Sequence, residues 1–155
     1  MDNQSLHDFI IQAKAATYVG AGQPALACRP NSHDLKFADG DWSYLDSYFG
    51  SQDFIGEEVV YFNGKPVWAM NYYGHILRSD LITPAQAGQV IQASLSKMYS
   101  EGRFLGGFEY LHEGFIYFDT SEGSVTSFRG REYISCRGET AYELFYHGGL
   151  ILDEQ

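Results

Sequence analysis

Apolar residues Leu6, Phe9, Ile10, Ala13 and Ala16 recur at helical spacing and predict a helix over residues 6–17. Ser5 fits as its N-cap, with Asp8 three residues on. Residues 18–33 hold Gly20, Gly22, Pro24 and Pro30 and read as an irregular loop. Strand patterns then dominate. Asp39-Gly40 and Asn63-Gly64 are hairpin dipeptides, because a type I′ turn needs positive φ at both central positions. The second joins strands over 59–62 and 65–73. Pro66 cannot donate a ladder hydrogen bond, so it belongs at a strand start or an edge. The strongest local signal is a second helix. Thr83 is its N-cap, Pro84 its first residue and Gln86 the return partner of a capping box. Ala87, Val90, Ile91, Leu95 and Met98 form its apolar stripe, and Gly102 ends it. More strands follow, with turns near Glu122-Gly123 and Arg137-Gly138.

Residues 44–77 and 117–151 read as two copies of one pattern. With a single-residue gap, Tyr44, Asp46, Gly50, Ser51 and Phe54 match Tyr117, Asp119, Gly123, Ser124 and Phe128. Gly56, Glu58, Gly64, Tyr72 and Gly74 match Gly130, Glu132, Gly138, Tyr146 and Gly148. The expected architecture is therefore a single α+β domain over 1–155, built as two pseudo-twofold repeats, 5–77 and 83–151. Each would be one helix followed by about four antiparallel strands. The two sheet units either merge into one curved sheet or pack face to face.

Two repeats meeting about an axis make a natural ligand pocket. Period-two geometry puts Trp68, Met70 and Tyr72 on one strand face, and Tyr142, Leu144 and Tyr146 on its counterpart. That face is either plain core or the wall of an aromatic pocket with tyrosine hydroxyls as polar handles. The other face carries Asn71 and Tyr73 in one copy and Phe145 and His147 in the other, which would make any site there asymmetric. The Phe-x-Gly-x-Glu segment recurs at 54–58 and 128–132, its Gly marking a bulge or a close backbone approach. If Glu58 and Glu132 face each other, one carboxyl gains a raised pKa, and the pair can do acid–base work or bind a cation. Alternatively each Glu fixes its own turn, through backbone N–H groups or a nearby arginine such as Arg129, Arg131 or Arg137. Asp46 and Asp119 read as turn-stabilising side chains. The candidate ligand-binding residues are thus Glu58, Trp68, Asn71, Tyr72, Glu132, Tyr142, Tyr146 and His147.

The five histidines show no HxH or HExxH spacing, and there is no GxSxG elbow, P-loop or dinucleotide fingerprint; Gly20-Ala21-Gly22 lacks the third glycine. No metal and no cofactor is expected. Aromatic content of 16%, with 12 Tyr and 11 Phe, favours a folded, sheet-rich globule. The net charge of −10 argues against nucleic-acid and anionic-membrane partners. It leaves open a cationic or amphipathic small molecule or a basic protein. Cys28 and Cys136 lie far apart without a CxxC pattern, which fits reduced thiols. No signal peptide is evident at the start and no apolar run reaches membrane-spanning length. The expectation is a cytoplasmic protein, with exposed strand edges able to form a homodimer.

The run Arg29-Pro30, Asp34-Leu35, Tyr44-x-Asp46-Ser47-Tyr48-x-Gly50, Phe54-x-Gly56-Glu57-Glu58, Val67-Trp68-x-Met70-Asn71-Tyr72-x-Gly74 and Tyr146-His147-Gly148-Gly149 resembles an uncharacterised bacterial domain family of unknown function. Its members are free-standing small proteins or the C-terminal part of helix-turn-helix regulators. The resemblance implies an effector-sensing module and names no catalyst. The leading expectation is a ligand-binding or regulatory module with its pocket between the repeats. One alternative is a hydrolase or lyase using Glu57, Glu58 or Glu132 as base with Tyr72 or His147 as acid. Another is an acidic, immunity-like module that masks a basic partner.

Overall fold

The computed structural model describes residues 2–19 and 23–153; Gly20-Ala21-Gly22 lies outside the described residues. Helix α1 spans Asn3–Lys14. It starts earlier than expected because Asp2, not Ser5, caps it. The Asp2 carboxylate accepts the Ser5 N–H at 2.8 Å and the Ser5 hydroxyl at 3.0 Å. The chain then widens into a π-helical turn, Ala15–Val19. There the Thr17 hydroxyl donates to the Ala13 carbonyl at 2.9 Å, competing for the helical ladder.

The strands are β1 (Gln23–Ala25), β2 (His33–Asp39), β3 (Trp42–Gly50), β4 (Phe54–Phe62), β5 (Lys65–Ile76), β6 (Phe108–His112), β7 (Phe115–Ser124), β8 (Ser127–Cys136) and β9 (Glu139–Leu150), with helix α2 (Pro84–Ser100) between β5 and β6. β1 corrects the reading of 18–33 as an irregular loop: it pairs with β2, and Pro24 is tolerated there because β1 is an edge. All nine strands form one sheet in the order β1-β2-β3-β4-β5-β9-β8-β7-β6, every neighbouring pair antiparallel. The fold is thus α+β with a single sheet, and of the two packings the sequence allowed, the merged one forms. β5 and β9 are the central pair, joined with Tyr72 opposite Tyr146.

The turns explain the register. Asn63-Gly64 and Arg137-Gly138 both take positive φ at two positions, as a type I′ turn requires. At the β2–β3 turn only Gly40 does so, followed by Asp41, while Asp39 stays in β2 opposite Trp42. That is a type II′ pattern, correcting the Asp39-Gly40 expectation by one residue. Glu122 and Gly123 remain within β7, and the turn falls at Val125-Thr126.

Both helices cover the same sheet face, and the core lies between. The α2 capping box forms as expected, with Thr83 Oγ1 accepting the Gln86 N–H and Gln86 Oε1 accepting the Thr83 N–H. Ala87, Val90 and Met98 are buried, joined by Ser94 and Tyr99, while Ile91 and Leu95 stay half-buried. Trp68 anchors the floor. Its ring stacks on Phe128 at 5.7 Å, meets Phe104 edge-on, and donates its N–H to the Val125 carbonyl at 3.0 Å. The opposite face of the sheet carries exposed Ile55, Asn71, Tyr73, Phe145 and His147. No helix among the described residues is long and apolar enough to cross a membrane.

Candidate functional site

A cavity of about 80 Å³ lies between the sheet and the helices. Lys14 and Tyr18 enter it from α1 and the turn after it; Ile91, Leu95, Met98 and Tyr99 enter from α2. The sheet contributes Glu58, Met70, Tyr72, Tyr117, Asp119, Glu132, Leu144 and Tyr146, with Phe54 and Phe104 beside them. A space of that size holds a handful of waters or a short organic chain.

On the β3–β5 side, Asp46 and Glu58 stand directly opposite each other on neighbouring strands. Both are buried, at 1% exposure each. Lys14 Nζ lies 2.6 Å from Glu58 Oε2 and 3.3 Å from the Met70 sulfur. Tyr18 donates to Glu58 Oε1 at 3.2 Å and lies 3.4 Å from Asp46 Oδ2. Tyr72 donates to Asp46 Oδ1 at 2.7 Å.

The β7–β9 side carries a similar set, with no lysine among the described residues. Asp119 and Glu132 are direct cross-strand partners. Tyr146 donates to Asp119 Oδ1 at 2.7 Å, Tyr117 to Glu132 Oε2 at 2.5 Å, and Tyr142 to Glu132 Oε1 at 3.3 Å. Asp119 Oδ2 and the Tyr44 hydroxyl are buried with no hydrogen-bond partner among the described residues. No basic side chain among the described residues forms an ion pair with Asp119 or Glu132; Arg131 pairs with Glu143, and Arg129 with Glu122.

The glycine of each Phe-x-Gly-x-Glu segment makes this geometry possible. A Cβ on Gly56 would sit 2.3 Å from the Tyr72 hydroxyl, and one on Gly130 would sit 2.1 Å from Tyr146 Cζ. Each tyrosine ring crosses the neighbouring strand at its glycine and reaches the aspartate one strand further on. The expected close approach at these glycines is therefore made by a side chain, not by backbone.

Burial controls the electrostatics. It pushes the Glu132 carboxyl up to about 7, with the nearby Asp119 charge adding and the Tyr117 hydrogen bond opposing. It pushes Asp119 up to about 6, against the Tyr146 bond. Asp46 is also raised, first by burial and then by the charge of Glu58. The hydroxyls of Tyr18, Tyr72, Tyr117, Tyr142 and Tyr146 are all raised, first by burial and then by these carboxylates. At neutral pH the tyrosines therefore remain donors.

Of the residues singled out from sequence, Glu58, Tyr72, Glu132 and Tyr146 line the cavity. Tyr142 bonds to Glu132 and also lines an adjoining groove of about 470 Å³. That groove runs along the first turns of α2, past Ser51 and Gln52, and shares Tyr18, Phe54 and Ile91 with the cavity. Trp68 is floor, not lining. Asn71 and His147 pair across β5 and β9 on the opposite, exposed face, so they do not join the carboxylates. Glu57 is exposed on that face too, directly opposite Asn71. The acid–base pairing of Glu132 with His147 is therefore not assembled. The turn-stabilising role for Asp46 and Asp119 is corrected as well. They sit inside β3 and β7, buried, each holding a tyrosine hydroxyl.

Sequence reasoning missed Lys14, Tyr18, Tyr99 and Tyr117 as lining residues. A signal existed for Lys14: it follows Leu6 and Ile10 at four-residue spacing, so it continues the apolar stripe of α1. Tyr117 stood among the positions matched along the sequence, aligned with Tyr44 and two residues before Asp119.

The chain belongs to the domain-of-unknown-function family DUF5680, whose model matches residues 46–151. The matched span includes Asp46, Glu58, Asp119 and Glu132 and leaves out Lys14 and Tyr18. No curated protein and no solved structure matches the chain.

Proposed function

We propose that this DUF5680 domain is a ligand-binding or regulatory module that takes a small cationic or amphipathic organic molecule into the cavity between its sheet and helices. We further read the domain as two repeats related by a pseudo-twofold axis through the β5–β9 pair. The register supports that reading: Tyr72 stands opposite Tyr146, Met70 opposite Gly148 and Gly74 opposite Leu144. Residues matched in the two sequence copies thus exchange places across the central pair. Such an axis accounts for Glu58 and Tyr72 sharing one cavity with Tyr117, Asp119, Glu132 and Tyr146.

The observation that carries the proposal is charge. Glu58, Asp119 and Glu132 are buried on a space whose one basic lining residue, among those described, is Lys14, and Asp46 is buried beside Glu58. Isolated buried carboxylates cost several kcal/mol each unless paired or protonated. An arrangement this unfavourable for folding alone points to binding, and aromatic faces beside carboxylates suit an organic cation.

The test is thermal unfolding in the presence of a panel of small amines, quaternary ammonium compounds and amphipaths. At least one should raise the midpoint of the wild type, and Glu58→Gln with Glu132→Gln should remove that gain. A panel with no stabilising member, or gains untouched by the double substitution, would overturn the reading.

A second reading, a hydrolase or lyase with Glu132 as general base, draws on the 2.5 Å Tyr117–Glu132 bond and the raised carboxyl. Hydrolysis of ester or glycoside probes that Glu132→Gln abolishes would favour it over simple binding.

A further inference from the structure

The first half of the cavity already contains a bound ammonium group, because Lys14 supplies one. Lys14 is 4% exposed. Its Nζ lies on a carboxylate oxygen of Glu58, touches the Met70 sulfur, and sits 5.9 Å and 5.7 Å from the ring centres of Tyr18 and Phe104. A carboxylate, a soft apolar neighbour and aromatic faces form a complete alkylammonium site.

The second half presents the same groups toward the same space. Glu132 matches Glu58, Asp119 matches Asp46, Leu144 takes the place of Met70, and Tyr117 and Tyr146 add rings. No side-chain cation among the described residues pairs with it. Arg103 and Lys14 are the nearby cations, but the Arg103 guanidinium is held by Glu101 and the Gly107 carbonyl, and the Lys14 ammonium lies on Glu58. Asp119, at 5% exposure, keeps Oδ2 without a partner among the described residues while lining the cavity. A buried acceptor left unsatisfied is costly, and a donor supplied from outside removes that cost.

We propose that Asp119 and Glu132 form an ammonium subsite for a primary monoamine bearing a short apolar chain, the external counterpart of Lys14. This rests on the cavity being a ligand site, as argued above, and specifies its chemistry. An ammonium has three donors and Asp119 Oδ2 offers an acceptor, whereas a divalent metal demands more ligands. No three carboxylate, imidazole or thiolate groups among the described residues converge as a metal site. Ile91, Leu95 and Met98 then face the alkyl chain. The adjoining groove, lined by Ser51, Gln52, Pro84, Gln89 and Gln92 among others, includes no charged residue among those described. A second cationic end would find no carboxylate there, so a monoamine is favoured over a diamine of equal length.

The experiment is isothermal titration of the full chain with n-butylamine, 1-butanol and 1,4-diaminobutane, at pH 8. The variants are Asp119→Asn and Asp119→Asn/Glu132→Gln, each checked for native circular dichroism. These amides mimic the protonated acids, so the fold should tolerate them; Asp119→Asn alone serves if the double variant does not fold. The expected result is that butylamine binds the wild type about tenfold or more tightly than butanol or the diamine. Asp119→Asn should lose about tenfold of that affinity. If butanol binds as well as butylamine and the variants bind both unchanged, the ammonium subsite is wrong while the pocket stands. If none of the three binds the wild type, the subsite is overturned, and the amine panel then decides the pocket separately. A diamine binding more tightly than the monoamine would overturn the assignment to monoamines.

Discussion

Replacing Lys14 by Met keeps the apolar stem and deletes the charge that neutralises Glu58. Glu58 is 1% exposed and its Oε2 lies 2.6 Å from Nζ, so the carboxylate cannot turn to water. Breaking a buried ion pair from one side costs about 3–5 kcal/mol, because the remaining charge is left uncompensated. The Tyr18 hydroxyl already reaches Glu58 Oε1, and the Tyr44 hydroxyl, without a partner among the described residues, is buried on β3. Both reduce the loss. The expected destabilisation is about 3 kcal/mol at pH 8. For a domain of this size that is a drop of roughly 6–12 °C in melting temperature. Lys14→Met with Glu58→Gln should recover most of it, since a neutral amide leaves no orphaned charge. The assay is urea unfolding followed by tryptophan fluorescence, with Trp68 fully buried against Phe104 and Phe128. A single variant within about 1 kcal/mol of wild type at pH 8, or a double variant no more stable than the single, would refute the reasoning.

The same electrostatics predict an inverted pH profile. Asp119 and Glu132 have folded values raised to about 6 and about 7, and Asp46 is raised too, so the native state binds protons more tightly than the unfolded chain. Their stabilisation is full below about pH 4 and lost as pH rises toward 7, with about 1.4 kcal/mol at stake for each pH unit that separates the folded value from the unfolded one. Asp34 acts oppositely: burial raises it, but bonds from Cys28, Ser32 and Ser47 hold it low overall, and its contribution is complete by about pH 5. The melting temperature should therefore be higher at pH 5 than at pH 8; the reverse order would sink the argument. Binding of n-butylamine should strengthen from pH 6 to pH 8 as it displaces protons from Asp119 and Glu132, and a flat titration profile would contradict that. Gly130→Ala should cost about 3 kcal/mol or more in urea unfolding, because its Cβ meets the Tyr146 ring at 2.1 Å and breaks the bond to Asp119. Gly88→Ala, in α2 with nothing beyond its own helix within 4 Å of the new Cβ among the described residues, should instead stabilise by about 0.5–1 kcal/mol, and a loss there would count against the helix geometry.

Local chemistry made much of the fold legible in the sequence. The Thr83-Pro84-x-Gln86 start of α2 and the Asn63-Gly64 and Arg137-Gly138 turns form as their residues demand, because capping and positive φ depend on neighbours in the chain. The matched Tyr, Asp, Gly and Glu positions were visible too, and with them part of the site. What those positions do was not visible. Asp46 reads as a turn residue until β4 and β5 lie beside β3, when Tyr72 crosses Gly56 and finds its carboxylate. Nothing within the strand segments points to Lys14, forty-four residues before Glu58. Only packing α1 onto the sheet pairs them, and only the joining of β5 to β9 brings Glu58 to one cavity with Asp119 and Glu132 while sending Asn71 and His147 to the far side. The sequence by itself determined the start of α2, the Asn63-Gly64 and Arg137-Gly138 turns and the alternation of faces, which follow from near neighbours. The tertiary structure decided which buried charges are neutralised, because that depends on distances between segments that no local pattern encodes.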